Sequence, residues 1–194
     1  MSAIDTLGNL NVLGVDSLPA LQRVLLVTDG TLTEILEAYF CERIYLVKVS
    51  QRVIAATASH ALLDPVPGES LIERKILLQG ERSGTNYVYA DSLVAVDRLP
   101  SSFRDGLNSD TPLGRLWLEH RLETFKQMHG IHRQAADELS QYFECAETEP
   151  LLVRTYCVIS GSNVVMVISE YFPWLYRDAP QKLGEEKRLV GASR

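Results

Sequence analysis

The sequence has little of what marks several large protein classes. Its 194 residues include 3 cysteines, 8 prolines and 2 tryptophans. Cys41, Cys145 and Cys157 form no CxxC pair and no metal-ligand spacing, so we expect reduced thiols in a cytoplasmic protein. No apolar stretch reaches the roughly 20 residues that cross a bilayer, and the N-terminus lacks the pattern of a signal peptide. We therefore expect no membrane insertion.

The chain also lacks the positive charge of a nucleic-acid-binding protein. Nineteen Lys and Arg stand against 25 Asp and Glu, a net charge of −6, and no basic stripe is present. An anionic ligand would need a local cationic site. With 46% hydrophobic residues and no internal repeat, one domain over residues 1–194 is predicted, with 181–194 as a flexible polar tail.

The apolar patterns predict an α+β fold. Residues 18–40 indicate two helices broken at Asp29 and Gly30, and Thr31 with Glu34 forms a capping-box pattern for the second helix. The composition and spacing of turn residues predict a hairpin over residues 43–59 and strands over 71–79, 86–95, 151–159 and 164–172. Residues 111–141 are predicted to be mostly helical, with an interruption near Gly130. Blocks of antiparallel strands separated by helices favour α+β over a regular strand–helix alternation.

Two charged residues lie on otherwise apolar strand faces. Side chains of a strand alternate between faces, so Arg74 shares its face with Ile72, Ile76 and Leu78. The same alternation places Glu170 among the apolar residues of 166–172. An unpaired buried ion costs several kcal/mol or more, so both charges need partners. The residues alone leave two interpretations open: the two charges pair with each other or with backbone groups, or they line a binding site.

A third segment offers anion-binding geometry. Thr111 and Pro112 are typical of a helix start, with Thr as the cap and Pro at the first helical position. The N–H groups at such a start lack helical partners and can bind an anion. An ordinary capped helix is the alternative.

The three segments, taken in order, resemble the active site of the chorismate pyruvate-lyase family. Residues 72–78, IERKILL, resemble the strand whose arginine binds the ring carboxylate. Residues 111–115 resemble the family motif TPLGR, whose leucine N–H contacts the same carboxylate. Residues 167–173, VISEYFP, resemble the last strand, whose glutamate faces the ring hydroxyl.

Two further segments extend the resemblance over about residues 24–173. Residues 29–33, DGTLT, resemble the first lid, in which the backbone of Leu32 contacts the hydroxyl, and Arg154 falls where the family often has arginine. The resemblance implies catalytic roles for Arg74 and Glu170. It implies substrate binding by Leu32, Leu113, Gly114, Arg115 and Arg154, with Arg115 and Arg154 as candidates for the enolpyruvyl carboxylate.

The resemblance also implies a fold and a function. The fold would be an antiparallel sheet with helices covering one face and lid segments over an enclosed site. The function would be cleavage of chorismate to 4-hydroxybenzoate and pyruvate by a monomer without metal or organic cofactor, supplying the head group for ubiquinone or plastoquinone. The chain departs from the family in a predicted helical insertion over residues 129–150, which indicates a divergent branch.

Two other functions are consistent with the same resemblance. The fold is shared with effector-binding domains of bacterial transcription regulators, which would make the chain a non-catalytic ligand-binding module. Only about two dozen residues precede the first matched segment, too few for a DNA-binding domain, so we favour the enzyme. A lyase acting on another chorismate-derived acid is the third possibility.

Overall fold

The fold is built on an antiparallel sheet. The computed structural model describes residues 18–107 and 123–176, together with Leu116 and Glu119. In these residues the strands are β1 (Ile44–Ala55), β2 (Ser70–Gly80), β3 (Asn86–Ala95), β4 (Phe125–Ala135), β5 (Pro150–Ser160) and β6 (Asn163–Pro173). They form one sheet in the order β1-β2-β3-β6-β5-β4, in which every neighbouring pair is antiparallel.

Two helices precede the first strand, and two shorter ones lie between later strands. They are α1 (Ala20–Val27), α2 (Leu32–Phe40), α3 (Ser101–Leu107) and α4 (Ser140–Phe143), with 3-10 turns at Ala58–Leu63, Val96–Arg98 and Asp137–Leu139. None of the helices in the described part of the chain has the length and apolarity to cross a membrane. The antiparallel strands with separate helices confirm the predicted α+β class.

Two apolar clusters on one face of the sheet hold the helices in place. The first joins α1 and α2 to Leu78, Val88, Leu152 and Phe172 of the sheet. The second joins α3 to a different stretch of the same face, which includes Val94, Val158, Met166 and Ile168. Because the clusters meet different stretches of that face, the sheet between them lies open beneath the helices.

Most of the predicted elements are confirmed. The strand predictions over residues 71–79, 86–95, 151–159 and 164–172 match β2, β3, β5 and β6. The predicted break between two helices lies between α1 and α2. Helix α2 begins at Leu32 after Thr31, but the side chain of Thr31 makes no capping hydrogen bond, so the predicted capping box is wrong.

The predicted hairpin over residues 43–59 is wrong. Residues Ile44–Ala55 form one strand that pairs with β2 along its length, and Gln51 and Arg52 lie within this ladder opposite Arg74 and Glu73. A register shift between Lys48 and Ser50 interrupts the pairing. The segment contains no glycine or proline, and the strand accommodates its polar middle through an irregularity rather than a turn.

The predicted helix over residues 111–141 is also wrong in its second half. Phe125–Ala135 forms strand β4, which pairs with β5 from one end to the other. The predicted helical insertion over 129–150 contains the end of this strand, a 3-10 turn and the four-residue α4. Because β4 lies at the edge of the sheet and none of its residues is fully buried, it lacks the apolar alternation that identifies a strand. The predicted helix start at Thr111 and the predicted tail lie outside the described residues.

Candidate active site

A cavity of about 530 Å³ lies between the helix-covered face of the sheet and the loop that joins α1 to α2. This volume is in the range of roughly 300 to 1,000 Å³ that small-molecule sites occupy. Its floor comes from β2, β3, β5 and β6, and its walls come from residues 29–33 and 123–126. Its charged and hydroxyl-bearing floor residues are Arg74, Ser92, Tyr156 and Glu170.

Arg74 lies in the middle of β2 and is only 1% exposed. Ile76 and Leu78 of the same strand line the cavity with it, which confirms the predicted face. Its main-chain oxygen accepts a hydrogen bond from Ser92 Oγ (3.1 Å) on the neighbouring strand β3. Strands β2 and β3 therefore place a buried guanidinium among the apolar residues of the cavity floor.

Glu170 lies on β6 and is 7% exposed. Its Oε2 accepts a hydrogen bond from Arg154 Nε, and its Oε1 accepts one from the hydroxyl of Tyr156 (2.9 Å). The ion-pair partner of Glu170 is thus Arg154, its cross-strand neighbour on β5. The interpretation in which Arg74 and Glu170 form an internal salt bridge with each other is wrong.

Arg154 connects the Glu170 carboxylate to the C-terminal end of helix α1 through hydrogen bonds. Its Nη1 donates to the main-chain oxygen of Leu25 and to that of Thr28 (3.1 Å), where helix carbonyls lack partners within the helix. Burial disfavours its charge, but Glu170, Tyr156 and Asp29 together outweigh this and raise the pKa of Arg154. Arg154 is 1% exposed and is not among the residues that line the cavity. It holds Glu170 and the α1 terminus together from behind the cavity wall.

Tyr156 lies between the carboxylate and the cavity. Burial, reinforced by the Glu170 carboxylate, raises the pKa of Tyr156 well above its usual value, so the phenol stays protonated and donates. A carboxylate has about four lone-pair sites, and Arg154 and Tyr156 use one on each oxygen. Glu170 can therefore accept a further hydrogen bond from a ligand in the cavity.

The other predicted site residues divide into two groups. Leu32 lies in the cavity wall at the start of α2, in the segment predicted as the first lid. Leu113, Gly114 and Arg115 lie outside the described residues, and their predicted roles stay predictions.

Two residues that line the cavity were missed at the level of sequence. Lys126 was assigned to a helix, although a strand over 125–135 would have placed it on the same face as Met128. Tyr156 could have been found, because strand alternation places it on the same face as Arg154, which the resemblance had singled out. Among the described residues, no three His, Cys, Asp or Glu side chains cluster as a metal site would require.

A six-stranded antiparallel sheet with a charged cavity beneath its helices defines a small-molecule-binding α+β domain. The chain belongs to the family described as chorismate pyruvate-lyase, Rv2949c-like, whose model matches residues 26–179. The resemblance noted in the sequence is thereby confirmed at the level of the family.

Relatives from mycobacteria agree with this assignment. A chorismate pyruvate-lyase of Mycobacterium tuberculosis is 30% identical over 166 residues, which cover 82% of this chain and 83% of that protein. A chorismate pyruvate-lyase of Mycobacterium leprae is 28% identical over 163 residues, covering 82% and 78%. The similarity therefore spans most of both chains.

Solved structures with the same fold come from transcription regulators. The effector domain of PhnF from Mycobacterium smegmatis superimposes with a TM-score of 0.62 at 12% identity, covering 76% of this chain and 90% of that one. A GntR-family regulator from Bacillus cereus gives a TM-score of 0.53 at 8% identity, covering 67% and 91%. At such identities the likeness shows the fold alone.

Proposed function

We propose that this protein cleaves chorismate to 4-hydroxybenzoate and pyruvate without a metal or organic cofactor. Membership of the chorismate pyruvate-lyase family supports the reaction class. The observation that carries the proposal is the cavity floor. There the buried Arg74 and the carboxylate of Glu170, whose charge is balanced by Arg154, face the same cavity. Such a pair provides a cation for a ring carboxylate and an acceptor for a hydroxyl.

The spacing of the two residues suits the substrate. Arg74 and Glu170 lie on β2 and β6, which are separated by β3, and the register offsets them by two residues along the strands, so their backbones are roughly 12 Å apart. The carboxylate and the hydroxyl of chorismate lie at opposite positions of its ring. In our proposal the planar fork of Arg74 binds both carboxylate oxygens, and Glu170 accepts the hydroxyl proton in a hydrogen bond.

The remaining predicted residues are part of the same proposal. Leu32, Leu113, Gly114 and Arg115 are proposed to contact the substrate as the resemblance implies. Arg154 lies behind Glu170 and outside the cavity lining, so in place of the predicted substrate contact it is proposed as a positioning residue that keeps the carboxylate aimed at the cavity.

The reaction requires few protein groups. The ether bond between the ring and the enolpyruvyl oxygen breaks, and the ring carbon bearing the hydroxyl loses its hydrogen. The enolpyruvyl methylene gains a proton, which yields pyruvate and an aromatic ring. The hydrogen can pass within the substrate or with help from Glu170. In either route the protein holds a reactive conformer and stabilises the developing charge.

The first prediction is turnover of chorismate by the purified protein. With chelator present and no added cofactor, we expect pyruvate and 4-hydroxybenzoate to be released in equal amounts, as measured by coupled pyruvate detection and chromatography. Binding of chorismate without turnover would favour an effector-binding module, the function named for the domain from M. smegmatis. A different aromatic product would identify a related lyase.

The second prediction concerns release of the product. The loop of residues 29–33 forms part of the cavity wall, so we propose that it must move before 4-hydroxybenzoate can leave. Progress curves are expected to bend early, and to bend earlier when 4-hydroxybenzoate is added at the start. Linear progress curves in millimolar 4-hydroxybenzoate would contradict an enclosed product site.

Three finer points follow the resemblance and are part of the same proposal. The protein acts as a monomer in the cytoplasm, and its 4-hydroxybenzoate supplies the head group of a quinone. Sedimentation of the purified protein at micromolar concentration tests the first of these.

A further inference from the structure

Lys126 is a cation in the wall of the cavity, and the proposed function assigns it no role. It is the second residue of β4 and its side chain reaches the loop between α1 and α2. Its Nζ donates hydrogen bonds to the main-chain oxygens of Asp29 (2.8 Å) and Gly30 (3.2 Å). The same nitrogen lies 5.4 Å from the centroid of the Tyr156 ring. The ammonium is therefore held at the cavity wall beside Tyr156, the phenol that donates to Glu170.

The strand order places Lys126 opposite Arg74 across the cavity. Arg74 lies on β2, Glu170 on β6 and Lys126 on β4, with β3 between the first two strands and β5 between the last two. The register also offsets Glu170 along the strands, by two residues from Arg74 and by four residues from Lys126, so the backbones are roughly 12 Å and 17 Å apart, and all three side chains line the cavity. A ligand in the cavity can therefore meet all three side chains, with Arg74 and Lys126 on strands that lie on either side of the strand of Glu170.

Chorismate carries one polar group for each of these three side chains. Its ring carboxylate is opposite the hydroxyl, and the ether that carries the second carboxylate is on the ring carbon next to the hydroxyl. We propose that Lys126 binds the enolpyruvyl carboxylate, an inference that rests on the proposed lyase function. The ring carboxylate then lies at Arg74, the hydroxyl at Glu170 and the side-chain carboxylate at Lys126.

The charge balance of the cavity supports this assignment. Arg154 and Glu170 form a buried ion pair, and Arg74 and Lys126 are the basic side chains that line the cavity in the described part of the chain. Each of these two side chains can bind one of the two carboxylates of chorismate. Asp29 and Glu123 also line the cavity, but both are exposed, so solvent screens their charges.

Binding of the carboxylate would exchange hydrogen-bond acceptors at Lys126. The Lys126 ammonium now donates to two neutral carbonyls of the loop. A charged carboxylate is roughly twice as strong an acceptor as a neutral carbonyl, and the flexible lysine stem can turn toward it. Capture of the substrate would therefore release Asp29 and Gly30 from Lys126, and departure of pyruvate would restore the contact.

The test compares a dianion with a monoanion. In Lys126→Met we expect kcat/KM for chorismate to fall by about 10- to 100-fold, the effect of losing one charged hydrogen bond. The dissociation constant of 4-hydroxybenzoate, which lacks the enolpyruvyl group, should stay within about twofold. Lys126→Arg keeps the charge and should recover most of the lost activity. Lys75→Met removes a lysine that pairs with Asp91 outside the cavity and should leave both values unchanged.

Each outcome has one meaning. An unchanged kcat/KM in Lys126→Met overturns the proposal, and so does equal weakening of both ligands, which would make Lys126 a structural part of the wall. A wild-type protein that neither turns over chorismate nor binds 4-hydroxybenzoate would instead refute the proposed function. Thermal unfolding of each variant identifies a loss that is due to misfolding.

The pH profile gives a second readout that a structural role would not produce. Burial lowers the pKa of Lys126, and the carboxylates of Glu170 and Asp29 offset part of this effect while Arg154 adds to it. Arg154 and Tyr156 have raised pKa values and keep their protons as the pH increases. As pH rises through the lowered pKa of Lys126, kcat/KM for chorismate should therefore fall. Lys126→Arg should move this alkaline fall to higher pH, and an identical profile in that variant would contradict the proposal.

Discussion

Replacing Arg74 with alanine is expected to lower kcat/KM for chorismate by roughly 30- to 3,000-fold. The side chain is 1% exposed, so its bond to a carboxylate forms away from water, where truncating one partner of a charge pair costs roughly 2 to 5 kcal/mol. Lysine keeps the charge but loses the planar fork and one of two parallel hydrogen bonds, so Arg74→Lys should retain intermediate activity. Steady-state kinetics and 4-hydroxybenzoate titration measure both variants.

The control for this prediction is Arg52→Ala. Arg52 lies on the neighbouring strand β1 and pairs with Glu73 at 2.6 Å, but its side chain is 67% exposed and does not line the cavity. An exposed ion pair contributes little, so activity and thermal stability should hardly change. An Arg74→Ala protein that is folded and fully active would assign Arg74 to the structure of the sheet rather than to the substrate.

The central strands were predictable because the apolar or polar character of their residues follows which face of the sheet is buried. Strands β2 and β6 are covered on the cavity side, and apolar residues at alternating positions identified both the strands and their inner faces. A charge on such a face stands out, which is why Arg74 and Glu170 were found. The parts of the site that could be predicted are therefore those in which the apolar alternation along a strand matches the burial of its residues.

The partner of Glu170 was not predictable in the same way. Arg154 is its cross-strand neighbour because Ser160 and Asn163 pair at the turn that sets the register of β5 and β6. A shift by one residue would have placed Arg154 and Glu170 on opposite faces. Alternation within one strand reveals a face but not the position of the strand against its neighbour.

Lys126 was missed for a different reason. It lies on an edge strand in which exposed and partly buried residues follow one another, so a helix and a strand fitted its sequence equally well. The strand forms because β5 offers a free edge for pairing over residues 125–135, a contact between segments about 25 residues apart. Pairing of this kind depends on tertiary structure and leaves little signal in composition.

Because Glu170 pairs with Arg154, Glu170→Gln should lower both the stability and the turnover of the protein. Glutamine keeps the size of the side chain but removes the charge that balances a buried guanidinium, so we expect the free energy of unfolding to fall by roughly 3 to 5 kcal/mol. Turnover of chorismate is expected to fall by about 100-fold or more, because the ring hydroxyl loses its ionised acceptor. Chemical denaturation and turnover of one preparation give both values, but together they do not separate the two roles of the carboxylate.

A double-mutant cycle with Arg154→Met separates these roles. In Glu170→Gln with Arg154→Met, no buried charge is left unbalanced at this pair, so most of the lost stability should return. If Glu170 acts on the ring hydroxyl, turnover in the double variant should stay low, since neither substitution restores an ionised acceptor at that position. If Glu170 serves only to neutralise Arg154, stability and turnover should recover together. That joint recovery would remove Glu170 from the chemistry and leave Arg74 and Lys126 to hold the substrate.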